Sequence, residues 1–262
     1  MTAPELATVL HMEGRVVLVT GGTRGLGRGI AHRFGEAGAT VVVCGRKPPE
    51  AATDGYFIAA DVRDADSVAA LRDAIIEKFG RLDVLVNNAG GSPPADSATA
   101  SAKFSNAIIG LNLVAPLLCS QAAFAIMRDQ NSGGSIVNIS SVSGMRPSPS
   151  TVAYGAAKAG LINLTETLAV EFAPKVRVNC LSAGFIVTEQ SQLFYGDDDG
   201  IAAVGRTVPL GHMAEPHEIA DVALFLSSPL ARYVSGANIV VHGGGEQPAY
   251  LDAATGDVNA QT

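Results

Sequence analysis

Tyr154 and Lys158 are the two side chains of this sequence whose types and spacing are best suited to proton transfer. They stand four residues apart in a helical segment, so both side chains project from the same face of the helix. A free tyrosine has a pKa near ~10, too high for ready proton exchange at neutral pH. A neighbouring ammonium group favours the phenolate, so we expect Lys158 to lower the pKa of Tyr154. The pair predicts a general acid and base that exchanges a proton with a substrate oxygen.

A glycine-rich segment predicts a phosphate-binding loop. It reads TGGTRGLG over residues 20–27, between the apolar run RVVLVT and a helical pattern. Glycine permits positive φ and close backbone approach, and the free N–H groups of the following helix attract an anion. A tight turn without a ligand is the alternative, but the position at the first strand–helix junction favours the pyrophosphate of a dinucleotide. The residues assigned to it are Gly21, Thr23, Arg24, Gly25, Leu26 and Gly27.

The residues after the second strand bear on the choice of cofactor. Sites for NAD usually have an acid about 20 residues beyond the glycines, where it holds the ribose hydroxyls. This chain has Cys44-Gly45-Arg46-Lys47 there instead. Arg46, with Arg24, suits a 2′-phosphate because guanidinium–phosphate contacts are strong and directional. The pattern favours NADP(H) over NAD(H), with a merely solvated Arg46-Lys47 turn as the alternative.

The elements that must position these residues alternate between strands and helices. Strands are predicted over 15–20, 40–44, 56–60, 82–86, 135–139, 176–181 and 238–241, and helices over 26–37, 64–79, 102–128, 152–172 and 215–226. Strands that are apolar throughout and separated by helices predict an α/β fold, a parallel sheet covered on both faces. Ligands of such sheets bind at the carboxyl ends of the strands. We expect one domain over 14–245, an N-terminal extension over 1–13 and a tail over 246–262.

Composition excludes several other classes of function. The net charge is −7 and no basic cluster exceeds Arg46-Lys47, which argues against nucleic acid and membrane partners. No uninterrupted apolar run reaches the roughly 18 residues of a membrane span. The three cysteines are widely spaced and suit a reducing cytoplasm. The five histidines lack ligand spacing, and Asp197-Asp198-Asp199 is read as a solvated loop tip, so no metal site is expected.

Five motifs in order resemble the short-chain dehydrogenase/reductase family over residues 14–244. They are TGGTRGLG at 20–27, Asp61-Val62, NNAG at 87–90, Asn112, and Ser141 followed by YGAAK at 154–158. The resemblance implies a doubly wound Rossmann-type sheet of about seven strands. It further implies a catalytic tetrad of Asn112, Ser141, Tyr154 and Lys158. Ser140 and Ser143 lie in the same run as Ser141, and spacing from Tyr154 by resemblance selects Ser141.

The resemblance also assigns the remaining contacts. Ser141 would hydrogen-bond the substrate oxygen, Lys158 would also bind the cofactor ribose, and Asn112 would position a water beside Lys158. The other cofactor contacts would come from Asp61 and Val62 at the adenine, from Asn88, Ala89 and Gly90, and from Gly184, Ile186 and Thr188 near the nicotinamide. The family usually has proline where this chain has Ala183, so the assignment of Thr188 is weaker.

The implied reaction interconverts a ketone and a secondary alcohol by hydride transfer. Residues 185–213 occupy the place of the family's substrate-covering lid, and their apolar side chains favour a small-molecule substrate of some apolar bulk. Reduction of a 3-oxoacyl thioester on a carrier protein is one alternative, and an inert NADP(H)-binding sensor is another. The small-residue-rich helices near 102–128 and 152–172 resemble those with which the family forms homotetramers.

Overall fold

Seven parallel strands form a single sheet in the computed structural model, which describes residues 9–49 and 55–250. Their order is β3-β2-β1-β4-β5-β6-β7, so the direction of winding reverses between β1 and β4. This confirms the predicted Rossmann-type sheet and places its switch point beside the glycine-rich loop. The strands are β1 (Val16–Thr20), β2 (Thr40–Gly45), β3 (Tyr56–Ala59), β4 (Val84–Asn87), β5 (Gly134–Ser141), β6 (Val176–Ala183) and β7 (Asn238–Val241).

Helices cover both faces of the sheet. They are α1 (Gly25–Glu36), α2 (Ala65–Phe79), α3 (Ala102–Ile109), α4 (Ala115–Met127), α5 (Val152–Glu171), α6 (Ser191–Tyr195), α7 (Asp198–Arg206) and α8 (Pro216–Ser227). Alternate side chains of one strand enter opposite layers: Val17 and Val19 join one core cluster and Leu18 the other. A strand that is buried on both faces favours apolar residues on both, and residues 16–19 of β1 are all apolar.

Local signals set the helix ends. The Asp64 carboxylate accepts from the N–H of Asp66 at 2.9 Å and caps α2, which ends at Gly80 with φ +71°. Glycine adopts this left-handed conformation without a steric penalty. Asp197 caps α7 in the same way by accepting from Gly200 N–H at 3.1 Å. The acidic triplet therefore begins a helix and is not the loop tip that the sequence predicted.

The long helix predicted over 102–128 is interrupted. Gly110–Val114 forms one π-helical turn between α3 and α4. By length and composition the run Ala102–Met127 would be long enough to cross a membrane, with a mean hydropathy of 1.7. It is a core helix here, because Cys119, Ala123 and Met127 are buried in the cluster beneath the sheet.

The segments flanking the predicted domain pack onto it where they are described. Met12 N–H donates to the carbonyl of Ala37 at 2.7 Å, and Gln247 N–H donates to that of Thr207 at 3.0 Å. Residues 1–8 and 251–262 of the predicted extension and tail lie outside the described residues, and the domain boundaries remain predictions. The three cysteines are buried and unpaired, and burial raises the pKa of the Cys44 thiol to about 12.

Candidate functional site

The predicted site residues converge at the carboxyl edge of the sheet. The glycine-rich loop follows β1, Asn88 follows β4, and Ser141 ends β5 in register with Ala183 of β6. The carboxyl ends of parallel strands lie along one edge, so residues far apart in sequence become neighbours. This edge, at the switch point, is the candidate active site.

The glycine-rich loop turns in conformations that suit glycine. Gly21 has φ +64° and Gly25 has φ +53°. A Cβ on Gly27 would overlap the Gly21 carbonyl and the Asn88 amide, so only glycine fits there. Leu26 packs against the core, and Thr23 faces Gly45 at the end of β2. The N–H groups that begin α1 are thereby presented at the candidate active site.

Thr20 holds this loop against the end of β4, a role that sequence reasoning missed. Its hydroxyl accepts from the N–H groups of Asn88 and Ala89, both at 3.0 Å. The Asn88 amide donates in turn to the carbonyls of Thr20 at 2.9 Å and Gly21 at 3.3 Å. The Asn88 side chain thus braces the loop. Thr20 and Asn88 belong to the two motifs TGGTRGLG and NNAG, but only the fold shows that they are in contact.

The π-helical turn sets the position of Asn112. Its amide binds the backbone of Gly91 twice, accepting at 2.9 Å and donating at 3.0 Å, and donates to Ile108 at 2.9 Å. Asn112 is fully buried. A Cβ on Gly90 would lie 2.7 Å from its Oδ1 and 3.3 Å from Lys158 Nζ. Asn112 and Lys158 therefore meet around Gly90, as the predicted tetrad requires, while Asn112's amide is engaged with backbone.

Lys158 is a buried cation. Its side chain is 4% exposed, and Nζ donates to the carbonyl of Ile139 in β5 at 2.7 Å. Burial lowers the pKa of Lys158 to about 8, since desolvation disfavours the charged form. The ammonium lies 5.5 Å from the centre of the Tyr154 ring, on the same face of α5. Tyr154 and Lys158 are thus close in space, as their spacing on the helix predicts.

The prediction that Lys158 lowers the pKa of Tyr154 is wrong, because the pKa is raised. Burial raises the pKa of Tyr154, and a hydrogen bond with Ser141 opposes the rise only in part. The error has a physical source: helical spacing predicts proximity to Lys158, whereas desolvation depends on tertiary packing. Tyr154 is consequently a protonated phenol at neutral pH, which is the form that donates a proton.

The fold separates the three neighbouring serines. Ser140 is buried and donates to the Lys158 carbonyl at 3.0 Å, and Ser143 interacts with Ser148 at 3.1 Å. The Ser141 hydroxyl accepts from Ser143 N–H at 3.2 Å and interacts with Tyr154. Ser141 is therefore the serine that the structure brings beside Tyr154.

Asp61 lies at the end of β3 and is bound by Arg63, which sequence reasoning did not identify. Arg63 Nε donates to Asp61 Oδ1 at 2.9 Å, and Arg63 Nη2 donates to Asp61 Oδ2 at 2.5 Å. The Arg63 guanidinium lowers the pKa of Asp61 to about 2, and Arg46 contributes to this through its charge. Val62 is buried in the core, and Arg24 precedes α1.

The segment after β6 carries Gly184, Ile186 and Thr188. A Cβ on Gly184 would lie 2.8 Å from that of His242, so the backbones approach closely there. Ile186 forms a parallel bridge with Ala214, which ties the two ends of the predicted lid together. Between them lie the helices α6 and α7, where no helix was predicted from sequence. Thr188 lies beside Gly25, 3.6 Å from where its Cβ would be.

One aromatic side chain of the lid, Tyr195, lies near Tyr154. The Tyr195 and Phe185 rings pack edge to face with centroids 6.0 Å apart. Tyr195 is close enough to Tyr154 to raise the pKa of its phenol further. Leu193 and Phe194 on the same short helix are exposed. No cluster of three or more metal-ligating side chains occurs within residues 9–49 and 55–250.

Comparison with known proteins agrees with this geometry. A family model described as enoyl-(acyl carrier protein) reductase matches residues 21–246. The 3-oxoacyl-[acyl-carrier-protein] reductase of Vibrio harveyi is 36% identical over 245 residues, covering 90% of this chain and 98% of that protein. 3beta-Hydroxysteroid dehydrogenase 1 of Eggerthella lenta is 34% identical over 245 residues, covering 89% and 94%. Ligand-free aldohexose dehydrogenase of Thermoplasma acidophilum has a TM-score of 0.84 at 32% identity, covering 90% of this chain and 94% of that chain.

Fold, site and comparisons together define an oxidoreductase with a nicotinamide cofactor. The chain belongs to the short-chain dehydrogenase/reductase family. Its chemistry is therefore that of an enzyme acting on alcohol and ketone groups with NAD(P)(H).

Proposed function

We propose that this protein interconverts a ketone and a secondary alcohol, with Tyr154 as general acid and base and NADP(H) as the preferred cofactor. One observation carries the proposal: Tyr154, Ser141, Lys158 and Asn112 converge at the carboxyl edge beside the glycine-rich loop. Tyr154 is half-buried at this edge.

The residues of the edge divide the proton chemistry among them. The Tyr154 phenol is protonated at neutral pH, so it is in the form that donates to the carbonyl oxygen during reduction, and its phenolate accepts the proton during oxidation. Ser141 adds a second hydroxyl at the same oxygen, which stabilises developing negative charge. Lys158, buried and cationic below pH about 8, favours the transient phenolate.

The loop and its surroundings fit a dinucleotide. Gly21, Gly25 and Gly27 clear the space before α1, and the helix presents its first N–H groups to an anion. Gly90 leaves room beside Lys158, whose ammonium would donate to a ribose hydroxyl. A bound nicotinamide supplies or accepts the hydride; Gly184, Ile186 and Thr188 are the residues we assign to its side.

The preference for NADP(H) rests on the residues after β2. A carboxylate there selects NAD(H) by accepting from ribose hydroxyls, and this chain has Arg46 and Lys47 instead. The carboxylate of Asp61, after β3, is bound by Arg63 through both oxygens. Arg46 and Arg24 are then the groups we assign to the 2′-phosphate.

The substrate is proposed to be a small carbonyl compound of some apolar bulk. Phe185 and Tyr195 form an aromatic wall near Tyr154. A 3-oxoacyl thioester is a second candidate, favoured by the likeness to the Vibrio harveyi reductase over nearly all of that protein. Turnover of a carrier-bound thioester in preference to free ketones would select it.

We further propose a cytoplasmic homotetramer. Exposed apolar side chains on the two helical runs assigned to subunit contacts support the assembly: Val114 is 44% exposed, and Val152 and Val170 are 58% and 78% exposed. Sedimentation analysis of the purified protein tests the oligomeric state, and a monomer at micromolar concentration would contradict it.

The decisive experiment compares the wild type with Tyr154→Phe. We expect turnover on a ketone panel to fall by at least about 10²-fold, as loss of a general acid predicts. NADPH titration by fluorescence should give nearly the same Kd for both proteins, because the phenol hydroxyl contributes little to cofactor binding. Unchanged turnover would refute the role of Tyr154. Failure of the wild type to bind either dinucleotide would refute the proposed function as a whole.

A further inference from the structure

Glu189, on the segment after β6, reaches across the candidate site to the start of α1. Its Oε2 accepts from the N–H of Gly25 at 3.0 Å. Its other carboxylate oxygen forms an ion pair with Arg28, one turn into the same helix. The two partners lie 164 and 161 positions away in sequence, so only the fold brings them together.

The chemistry of this helix end explains the contact. The N-cap residue Arg24 makes no capping hydrogen bond through its side chain, and the first turn of α1 contains no acid. The helix dipole and unpaired N–H groups there attract a negative charge. The Glu189 carboxylate supplies that charge from another part of the chain.

The same helix end is where the proposed cofactor places its pyrophosphate. Gly25 N–H belongs to the first turn of α1, and Gly25 itself has φ +53°, the loop conformation that opens this space. A carboxylate and a pyrophosphate are both anions and cannot accept the same N–H group at low cost.

We propose that Glu189 competes with the phosphates of the dinucleotide for the N-terminus of α1 and for Arg28, and so limits cofactor affinity. This inference rests on the proposed function. Cofactor binding displaces the carboxylate and releases Arg28 to the incoming phosphates. Thr188, adjacent to Glu189, also lies beside Gly25.

Backbone hydrogen bonds hold the residues before and after Glu189, so the competition involves its side chain alone. Val187 N–H donates to Ala214 at 2.9 Å, and Thr188 N–H donates to Ser191 Oγ at 2.8 Å. Glu189 therefore lies between two fixed points, the bridge at Ile186 and the start of α6. Its displacement requires rotation of one exposed side chain and leaves the sheet unchanged.

The test uses Glu189→Gln, which keeps the shape of the side chain and removes its charge. We expect the Kd for NADPH at low ionic strength to fall by about two- to fivefold, the size of a removed charge at a helix end. The thermal midpoint of the cofactor-free variant should fall slightly, because α1 loses its anion. Added salt should shrink the gain in affinity, since the groups are exposed.

The matched control is Glu77→Gln on the exposed face of α2, which removes the same charge far from the site. It should leave the Kd unchanged. If Glu189→Gln binds NADPH equally well or more weakly than the wild type, the competition is refuted while the proposed function stands. If the wild type binds neither dinucleotide, the proposed function falls and this inference with it.

Discussion

Replacing Lys158 with methionine should stabilise the protein at neutral pH. Burial lowers the pKa of Lys158 from 10.5 to about 8, which means that the folded state disfavours the charged form. Each pKa unit corresponds to about 1.4 kcal/mol, so the cost at pH 7 is on the order of 3 kcal/mol. Methionine forgoes the hydrogen bond to the Ile139 carbonyl, worth about 1 kcal/mol. The expected net gain in the free energy of unfolding is about 1–3 kcal/mol.

The dependence on pH follows from the same shift. Between the folded pKa near 8 and the unfolded value of 10.5, the unfolded chain binds more protons at Lys158 than the folded chain does. The stability of the wild type therefore rises with pH across this window, and the variant lacks that contribution. The gap between them should be largest below pH 8 and should close towards pH 10.5.

Urea denaturation of both proteins at several pH values and one protein concentration measures this gap. Taking the difference cancels the titration of groups that both proteins share. Lys103→Met is the control, because Lys103 is exposed on α3 and its removal should leave no gap that varies with pH. A Lys158→Met variant that is less stable than wild type at pH 7, or a gap that stays constant from pH 8 to 10.5, would refute the reasoning.

Two further substitutions test the site. Asn112→Ala removes three hydrogen bonds to the backbone of Gly91 and Ile108, so we expect a loss of about 2–3 kcal/mol in urea denaturation together with reduced turnover; undiminished stability would show that the π-helical turn does not depend on this amide. Arg46→Ser should raise the Kd for NADPH by about tenfold or more and change that for NADH much less, since a charge-assisted phosphate contact is lost. Parallel weakening of both cofactors would argue against its assignment to the 2′-phosphate.

The fold was accessible from sequence because its first strands are continuous apolar runs. Buried on both faces, β1 and β2 require such runs, and the runs 16–19 and 41–44 indicate them directly. Asp64 and Gly80 mark the ends of α2 by their own chemistry. By contrast, α6 has only five residues and offers no period to recognise, so no helix was predicted there.

The site was accessible only where its geometry is local. Tyr154 and Lys158 share a helix, so their spacing predicts their proximity. The π-helical turn at Asn112 depends on the backbone of Gly91, which is 21 positions away. The partners of Thr20 and Glu189 are more distant still. No periodic pattern encodes such contacts, because tertiary packing alone decides them.

Burial of Lys158 links the stability of this edge to its chemistry. A cation in water would have little influence on a neighbouring phenol, because solvent screens the charge. The same cation placed 5.5 Å from the Tyr154 ring and shielded from water acts through a lower effective dielectric, and the folded state bears the cost of its desolvation. The carbonyl of Ile139, which accepts from Nζ at 2.7 Å, holds the ammonium there. A variant that gains stability at Lys158 should therefore lose turnover, since it removes the buried charge whose desolvation destabilises the fold and whose attraction favours the phenolate.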